Sequence, residues 1–244
     1  MKKLASLVLA LALCLGLTVP ALAAPGDFNI QDGVLLGYFG TDTDVTVPDG
    51  VTTIGYRVFS NNNSVVSITI PEGVTTIEAG AFMNCPKLTA VHLPSTVTGI
   101  GSEAFMYCEK LESTNIPAGV TVIEASTFSS CRSLAGITIP NTVTTIKANA
   151  FQDCVSLTGV TIPGSVTTID ICAFLRCSGL TDITIPDSVT SLGGAAFQGC
   201  TALKSVKLSS GITEFVSGGM FAECSSLTSV AIPNGVTSIG QNAF

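Results

Sequence analysis

Cysteine is the residue type in this sequence with the widest choice of chemistry. The 244 residues contain nine cysteines, and Cys224 continues, after one extra residue, a series that recurs every 23 residues: Cys85, Cys108, Cys131, Cys154, Cys177 and Cys200. Thiols can pair as disulfides, bind soft metal ions or act as nucleophiles. Which of these is open depends on the neighbouring residue types and on where the period places the thiols.

The partners that such chemistry needs are scarce. His92 is the only histidine in the sequence. A metal site with two histidine ligands is therefore excluded, and a cysteine nucleophile would have no obvious general base. Asp153, Asp170 and Asp182 are spaced irregularly, so no pair of carboxylates and no calcium site is predicted. We therefore expect no catalytic residue, no bound metal and no cofactor, and we expect that the protein is not an enzyme.

The dominant feature is a 23-residue repeat with the pattern P-x-x-V-T-x-I-x-x-x-A-F-x-x-C-x-x-L-x-x-V-x-I. Its proline recurs at Pro48, Pro71, Pro94, Pro117, Pro140, Pro163 and Pro186. Ser209 replaces the next proline and Pro233 follows 24 residues later, which places one extra residue between Phe215 and Met220. The chain thus holds eight full units and a partial ninth, over residues 48–244.

Each unit is predicted to contain two extended segments. Leu157, Val160 and Ile162 belong to a segment that alternates near its end, which is typical of a strand of about three to five residues. A shorter extended piece is expected over residues 143–146, and residues 150–154 should turn the chain back. One unit has too little apolar surface to fold alone, so stacked units must share a core. The predicted fold is a repeat solenoid of short β-strands, with irregular or short helical turns on the convex side.

The period places the cysteine column in that core. The cysteine follows the phenylalanine of each unit, where it acts as a small apolar residue, so buried free thiols are favoured over disulfides. Stacked neighbours would still meet the Cα separation of a disulfide, so that alternative stays open. Cys172 lies five residues before Cys177, outside the column, and is expected to react first.

The repeat resembles the BspA-like class of bacterial leucine-rich repeats, over about residues 28–244. The resemblance rests on I-P-x-x-V-T-x-I and A-F-x-x-C, and it implies a surface protein or adhesin with no shared catalytic residue. This sequence differs from the general leucine-rich pattern at the asparagine position, which holds Gly, Thr or Ser instead, for example Thr142 and Ser165. A threonine column instead recurs two residues later, as at Thr144, and is expected either to bond backbone along the stack or merely to favour strands.

The two ends of the chain differ from the middle. Residues 1–23 contain two lysines, an apolar run and Ala21-Leu22-Ala23, which indicates a secretory signal cleaved after Ala23. Residues 24–47 are predicted to cap the first coil, with a hairpin turning at Asp32-Gly33. No capping pattern follows Phe244, so we expect either a longer protein or one that lacks its second cap.

Charge limits the class of partner. The formal net charge is −7, the isoelectric point is near 4.5, and only 11% of residues are charged. Nucleic acid and anionic membrane surfaces are therefore poor partners, and no membrane insertion is expected after signal cleavage.

A binding surface is predicted on the outward side of the strand with the pattern L-x-x-V-x-I in each unit. That surface is small and rich in hydroxyl groups, with almost no aromatic anchor, which favours weak or many-point contact. The candidate partner-binding residues are those that depart from threonine and their neighbours, and they form two groups: His92 with Asn115, and Lys207 with Asp182 and Lys204.

Two functions are open from the sequence. The first is a secreted or cell-surface recognition scaffold, adhesin-like, that binds a protein or an extracellular matrix ligand. The second is a passive spacer, part of a larger surface protein or of a wall-attached enzyme.

Overall fold

The computed structural model describes residues 25–215 and 218–244, and it has the solenoid architecture that the repeat predicted. The predicted signal, residues 1–23, lies outside the described residues. A 3-10 turn at Pro25–Asp27 is the one helical segment that they contain. The strands are β1 (Phe28–Gln31), β2 (Val34–Tyr38), β3 (Asp44–Thr46), β4 (Thr53–Ile54), β5 (Ser67–Thr69), β6 (Thr76–Ile77), β7 (Ala90–His92), β8 (Gly99–Ile100), β9 (Ser113–Thr114), β10 (Val122–Ile123), β11 (Thr145–Ile146), β12 (Thr168–Ile169), β13 (Asp182–Thr184), β14 (Ser191–Leu192), β15 (Ser205–Lys207), β16 (Glu214–Phe215) and β17 (Ser238–Ile239).

The strands form two stacks of parallel pairs. In the first stack β3, β5, β7 and β9 pair in that order, and β13 pairs with β15. The second stack contains β4-β6-β8, β10-β11-β12-β14 and β16-β17. Partners lie one repeat apart, as Ser67 with Ala90 and Thr145 with Thr168. We call the outward surface of the first stack, at the positions equivalent to Ser67 and Thr69 in every coil, the strand face.

The first stack is interrupted in its middle. Between β9 and β13 the strand pairing is reduced to the isolated bridges Gly136–Gly159 and Gly159–Asp182. The strand predicted around Val160 is therefore absent. Five strands of this stack contain three residues, within the predicted three to five, and β9 contains two. Glycine explains the break, because it has no side chain to pack and loses more backbone entropy in a strand.

The core is a set of columns that run the length of the solenoid. Phenylalanine rings of neighbouring coils stack with centroids 5.1 to 5.7 Å apart, from Phe59 to Phe221. Valine, isoleucine, leucine and cysteine columns fill the space beside them, and most of their members in the central coils are buried. Phe197 stacks on Phe221, 24 residues later, which confirms the extra residue that the sequence placed between Phe215 and Met220.

Hydroxyl groups join the coils outside the core. The threonine column donates to backbone carbonyls one coil earlier, as Thr144 to Thr121 at 3.3 Å. The shorter bonds come from the column two residues before it, which holds asparagine in the general pattern: Thr142 donates to the Val120 carbonyl at 2.8 Å and Ser165 to Val143 at 2.7 Å. The backbone-bonding role predicted for the threonine column is confirmed, and the sequence missed the closer column.

The first coil is covered by the predicted hairpin. Strands β1 and β2 pair antiparallel and turn at Asp32 and Gly33, whose φ angles are 50° and 78°. Strand β2 pairs in parallel with β4, and the Tyr38 ring lies 5.3 Å from that of Phe59. At the other end of the described solenoid Phe244 contacts Phe221 and is 53% exposed.

Candidate binding face

The residues that the sequence singled out lie on the strand face or, for Lys204, directly beside it. His92 ends β7, whereas Asp182 lies on β13, four coils further along, and Lys204 and Lys207 lie beside or on β15, five coils further along. With strands about 4.8 Å apart, His92 and the second group are separated by roughly 19 to 24 Å. All four residues are exposed. They lie in two separate patches.

Asn115 has a structural role that the sequence did not reveal. Its side-chain oxygen accepts a hydrogen bond from the Leu93 amide at 2.8 Å, and its side-chain nitrogen donates to the Leu93 carbonyl, also at 2.8 Å. At the equivalent point near β15, the Ile185 amide bonds the backbone carbonyl of Lys207. Asn115 thus replaces a backbone partner where β9 ends, and it is only half-exposed.

Asp182 is a charge of the strand face that is held by two hydroxyl groups. The Ser205 hydroxyl donates to one carboxylate oxygen at 2.6 Å, and the Thr181 hydroxyl donates to the other at 2.9 Å. These two hydrogen bonds, with a smaller effect of the Lys204 charge, hold the pKa of Asp182 below its usual value. The carboxylate is therefore ionised at neutral and at mildly acidic pH.

A groove of about 840 Å³ crosses the strand face where the first stack is interrupted. Its floor includes Gly136 and Gly159, and it extends from Thr114 to Thr184. A Cβ atom built on either glycine would meet no other atom within 4 Å, so the missing side chains leave open space. The sequence did not single out this groove, although two glycines one repeat apart in a strand column were a signal for it.

The cysteine column consists of buried thiols. All cysteines among the described residues are free, and all except Cys172 are buried. Each column thiol donates to a phenylalanine carbonyl of the preceding coil, as Cys108 to Phe82 at 3.0 Å. Burial raises the pKa of Cys108 well above its usual value, while His92 lies on the exposed strand face. These two residues do not form a catalytic pair.

The described part of the chain offers neither a metal site nor a membrane span. Residues 25–215 and 218–244 contain no group of three histidine, cysteine or acidic side chains placed to hold an ion. Over the same residues no helix is both long and apolar enough to cross a bilayer.

The stacked columns, short parallel strands and 23-residue register match a known repeat family. The model of the BspA type leucine-rich repeat region, which contains six repeat copies, matches residues 41–158 and 144–244. The chain belongs to the BspA-type leucine-rich repeat family. No curated protein matches the sequence.

Several solved structures similar to this BspA-type protein are bacterial leucine-rich repeat proteins. The T. pallidum leucine-rich repeat protein is 28% identical, with a TM-score of 0.50 over 89% of this chain and 85% of the other. A leucine-rich cell surface protein of Faecalibacterium prausnitzii is also 28% identical, with a TM-score of 0.47 over 91% and 85%. The pneumococcal vaccine antigen PcpA shares the fold at 20% identity, with a TM-score of 0.55 over 83% and 63%.

Proposed function

We propose that this BspA-type protein is a secreted or cell-surface recognition scaffold that binds another protein, or an extracellular matrix ligand, through the strand face. The observation that supports this most directly is the groove of about 840 Å³, which the fold leaves open on a surface that its own packing does not use. Recognition through side chains displayed on a rigid stack requires no catalytic group, and we propose a non-enzymatic role.

The placement of this protein outside the cell is part of the same proposal. Two observations support it. Residues 1–23 look like a secretory signal, and resemblance to the BspA-type family implies a surface protein. The intact mass of protein recovered from the culture medium and from the cell surface tests it. Loss of residues 1–23 is expected, and a cytoplasmic, uncleaved protein would contradict it.

Two arginines on the strand face test the binding surface. Thr138 and Thr161 are exposed on its central coils, so the double substitution Thr138→Arg with Thr161→Arg should obstruct a partner without disturbing the core. The matched control places arginine at Thr121 and Thr201, which are exposed outside the strand face. Binding to immobilised extracellular matrix proteins and other secreted proteins is measured by biolayer interferometry.

At least one immobilised protein is expected to bind the wild type, and its dissociation constant should rise at least tenfold in the strand-face double variant only. Equal loss in both double variants, or no loss in either, would contradict the strand face as the binding surface. No binding by the wild type to any of these proteins would favour a passive spacer instead.

The predicted patches need a separate measurement, because the Asn115 side chain also forms hydrogen bonds with the backbone of Leu93. His92→Thr and Lys207→Thr restore the threonine of the other coils and leave the Leu93 hydrogen bonds in place. A weaker complex in either variant would assign that patch to the interface. Unchanged binding in both would remove His92 and Lys207 from the proposed site, and Asp182→Asn and Lys204→Ala test the other two residues in the same way.

A further inference from the structure

The groove has one charged residue in its lining. Apart from Asp182, the described residues that line it are threonine, glycine, asparagine, proline and aliphatic residues. Asp182 lies near one end of the groove, so a single negative charge marks that end and the remainder is neutral. A ligand that matches this distribution carries one positive charge near one end of an uncharged, slender segment.

The Asp182 carboxylate is held in place before any ligand arrives. Each of its oxygens accepts a hydroxyl hydrogen bond, from Ser205 and from Thr181, which restricts both side-chain torsions. Those bonds leave room for further donors, and they favour a compact ammonium over the two-pronged contact of a guanidinium. The ion pairs within 4 Å among the described residues do not include Asp182.

The shape of the groove fits an extended chain. It covers four neighbouring coils, from Thr114 to Thr184, which corresponds to roughly 14 Å across the stack. An extended peptide rises about 3.3 Å per residue, so about four residues lie within it. The glycine floor admits a peptide backbone closely, while Thr138 and Thr161 offer hydroxyl groups beside it.

We propose that the groove between Thr114 and Thr184 binds an extended, otherwise uncharged segment of a partner protein, with a lysine ammonium of that segment on Asp182. This inference rests on the proposed function, since it names the partner chemistry of the strand face. Lys204 is an internal competitor, because its positive charge lies near enough to lower the pKa of Asp182.

The probe is a capped hexapeptide, acetyl-Lys-Ala-Ser-Ala-Ser-Ala-amide, compared with the same peptide carrying norleucine in place of lysine. Titration of the ¹⁵N-labelled full chain is followed by amide chemical shifts. The lysine peptide is expected to shift the amides of Gly136, Gly159 and Asp182 with a millimolar dissociation constant. The norleucine peptide should bind about fivefold more weakly, because an exposed ion pair contributes little more than that. Equal binding of both peptides, or no shifts with 20 mM lysine peptide, would overturn the proposal.

Two matched pairs of variants separate charge from shape. Asp44 has the same contacts as Asp182, with hydroxyl bonds from Ser67 at 2.5 Å and Thr43 at 2.9 Å, but it lies outside the groove. Asp182→Asn should therefore weaken lysine-peptide binding about fivefold, and Asp44→Asn should leave it unchanged. An equal effect of the two substitutions would show non-specific attraction and reject the site.

The second pair fills the groove. Gly159→Leu should abolish the shifts, whereas Gly164→Leu should not, since Gly164 has equally open surroundings and is not in the lining.

Lys204→Ala should strengthen binding about twofold. If the arginine variants lose a protein partner while the lysine peptide never binds, only this inference fails. If the strand face binds neither protein nor peptide, the proposed function fails as well.

Discussion

At the scale of single residues, the strand face shows that departure from a repeat does not by itself identify a binding residue. His92 and Asn115 occupy the same column in adjacent coils, and both differ from the usual threonine. His92 is exposed, whereas Asn115 bonds both backbone groups of Leu93. The column alone could not distinguish them, because the difference lies in where β9 ends.

The role of Asn115 leads to a stability prediction. Asn115→Ala should lower the free energy of unfolding by about 1 to 3 kcal/mol, because the Leu93 amide and carbonyl lose their partners in a part-buried position. His92→Ala should change it by less than about 0.5 kcal/mol, as an exposed substitution. Urea denaturation followed by circular dichroism measures both values. Equal effects of the two substitutions would contradict the structural role of Asn115.

At the scale of elements, the coils are joined by columns whose members make the same contact once per repeat. Some of these columns follow from the sequence. The phenylalanine and aliphatic columns are predicted by periodicity, since only a stack can bury them. The hydroxyl columns are not, because threonine and serine suit both a strand surface and a hydrogen bond.

Two threonines of one coil compare the hydroxyl columns directly. Thr142→Val removes a 2.8 Å bond to Val120 and should cost about 1 kcal/mol of unfolding free energy. Thr144→Val removes a 3.3 Å bond to Thr121 and should cost less than about 0.5 kcal/mol. Both positions are exposed, and valine keeps the shape and strand preference of threonine. A larger loss in Thr144→Val would reverse the assigned order of the two columns.

The buried thiols of the cysteine column predict that the free energy of unfolding decreases at alkaline pH. Burial raises the pKa of Cys154 and Cys200 to about 12 and that of Cys131 well above the unfolded value of 9.0. Above pH 9 an unfolded chain releases these protons while the folded chain retains them, so stability falls as pH rises towards the folded pKa. Each such thiol contributes a slope of about 1.4 kcal/mol per pH unit.

Cys131→Ser isolates one thiol of the column. Serine keeps a donor for the Phe105 carbonyl but does not titrate in this range. The stability of the wild type should therefore fall more steeply than that of the variant between pH 9 and 11, by about 1.4 kcal/mol per pH unit. Parallel curves would show that the thiol is oxidised or exposed.

Alkylation of the native protein should modify Cys172 first, since it is the half-buried exception.

At the scale of the whole molecule, each coil contacts mainly its neighbours. The contribution of a core side chain to stability therefore depends on how many neighbouring coils it packs against. Phe128 stacks between Phe105 and Phe151 and is almost fully buried, at 1% exposure. Phe244 stacks on Phe221, contacts Phe215 edge-on and is half-exposed. The same residue type thus has a central and a terminal environment.

Phe128→Ala should destabilise the described solenoid by about 3 to 5 kcal/mol, because it leaves a cavity in the middle of the ring stack. Phe244→Ala should cost about 1 kcal/mol or less, as its ring is half in solvent. Thermal and urea unfolding give both values. Equal costs at the two positions would contradict the nearest-neighbour description of the stack.

The sequence alone determined the solenoid, its family, the core columns, the extra residue before Met220 and the hairpin at Asp32-Gly33. These follow from period and residue type, because an apolar residue repeated every 23 positions can be buried only by its copies in adjacent coils. Only the tertiary structure decided the break at Gly136 and Gly159 and the backbone contacts of Asn115. Those features depend on small differences in hydrogen-bond register between coils of almost the same sequence, and such differences appear only when the coils are stacked.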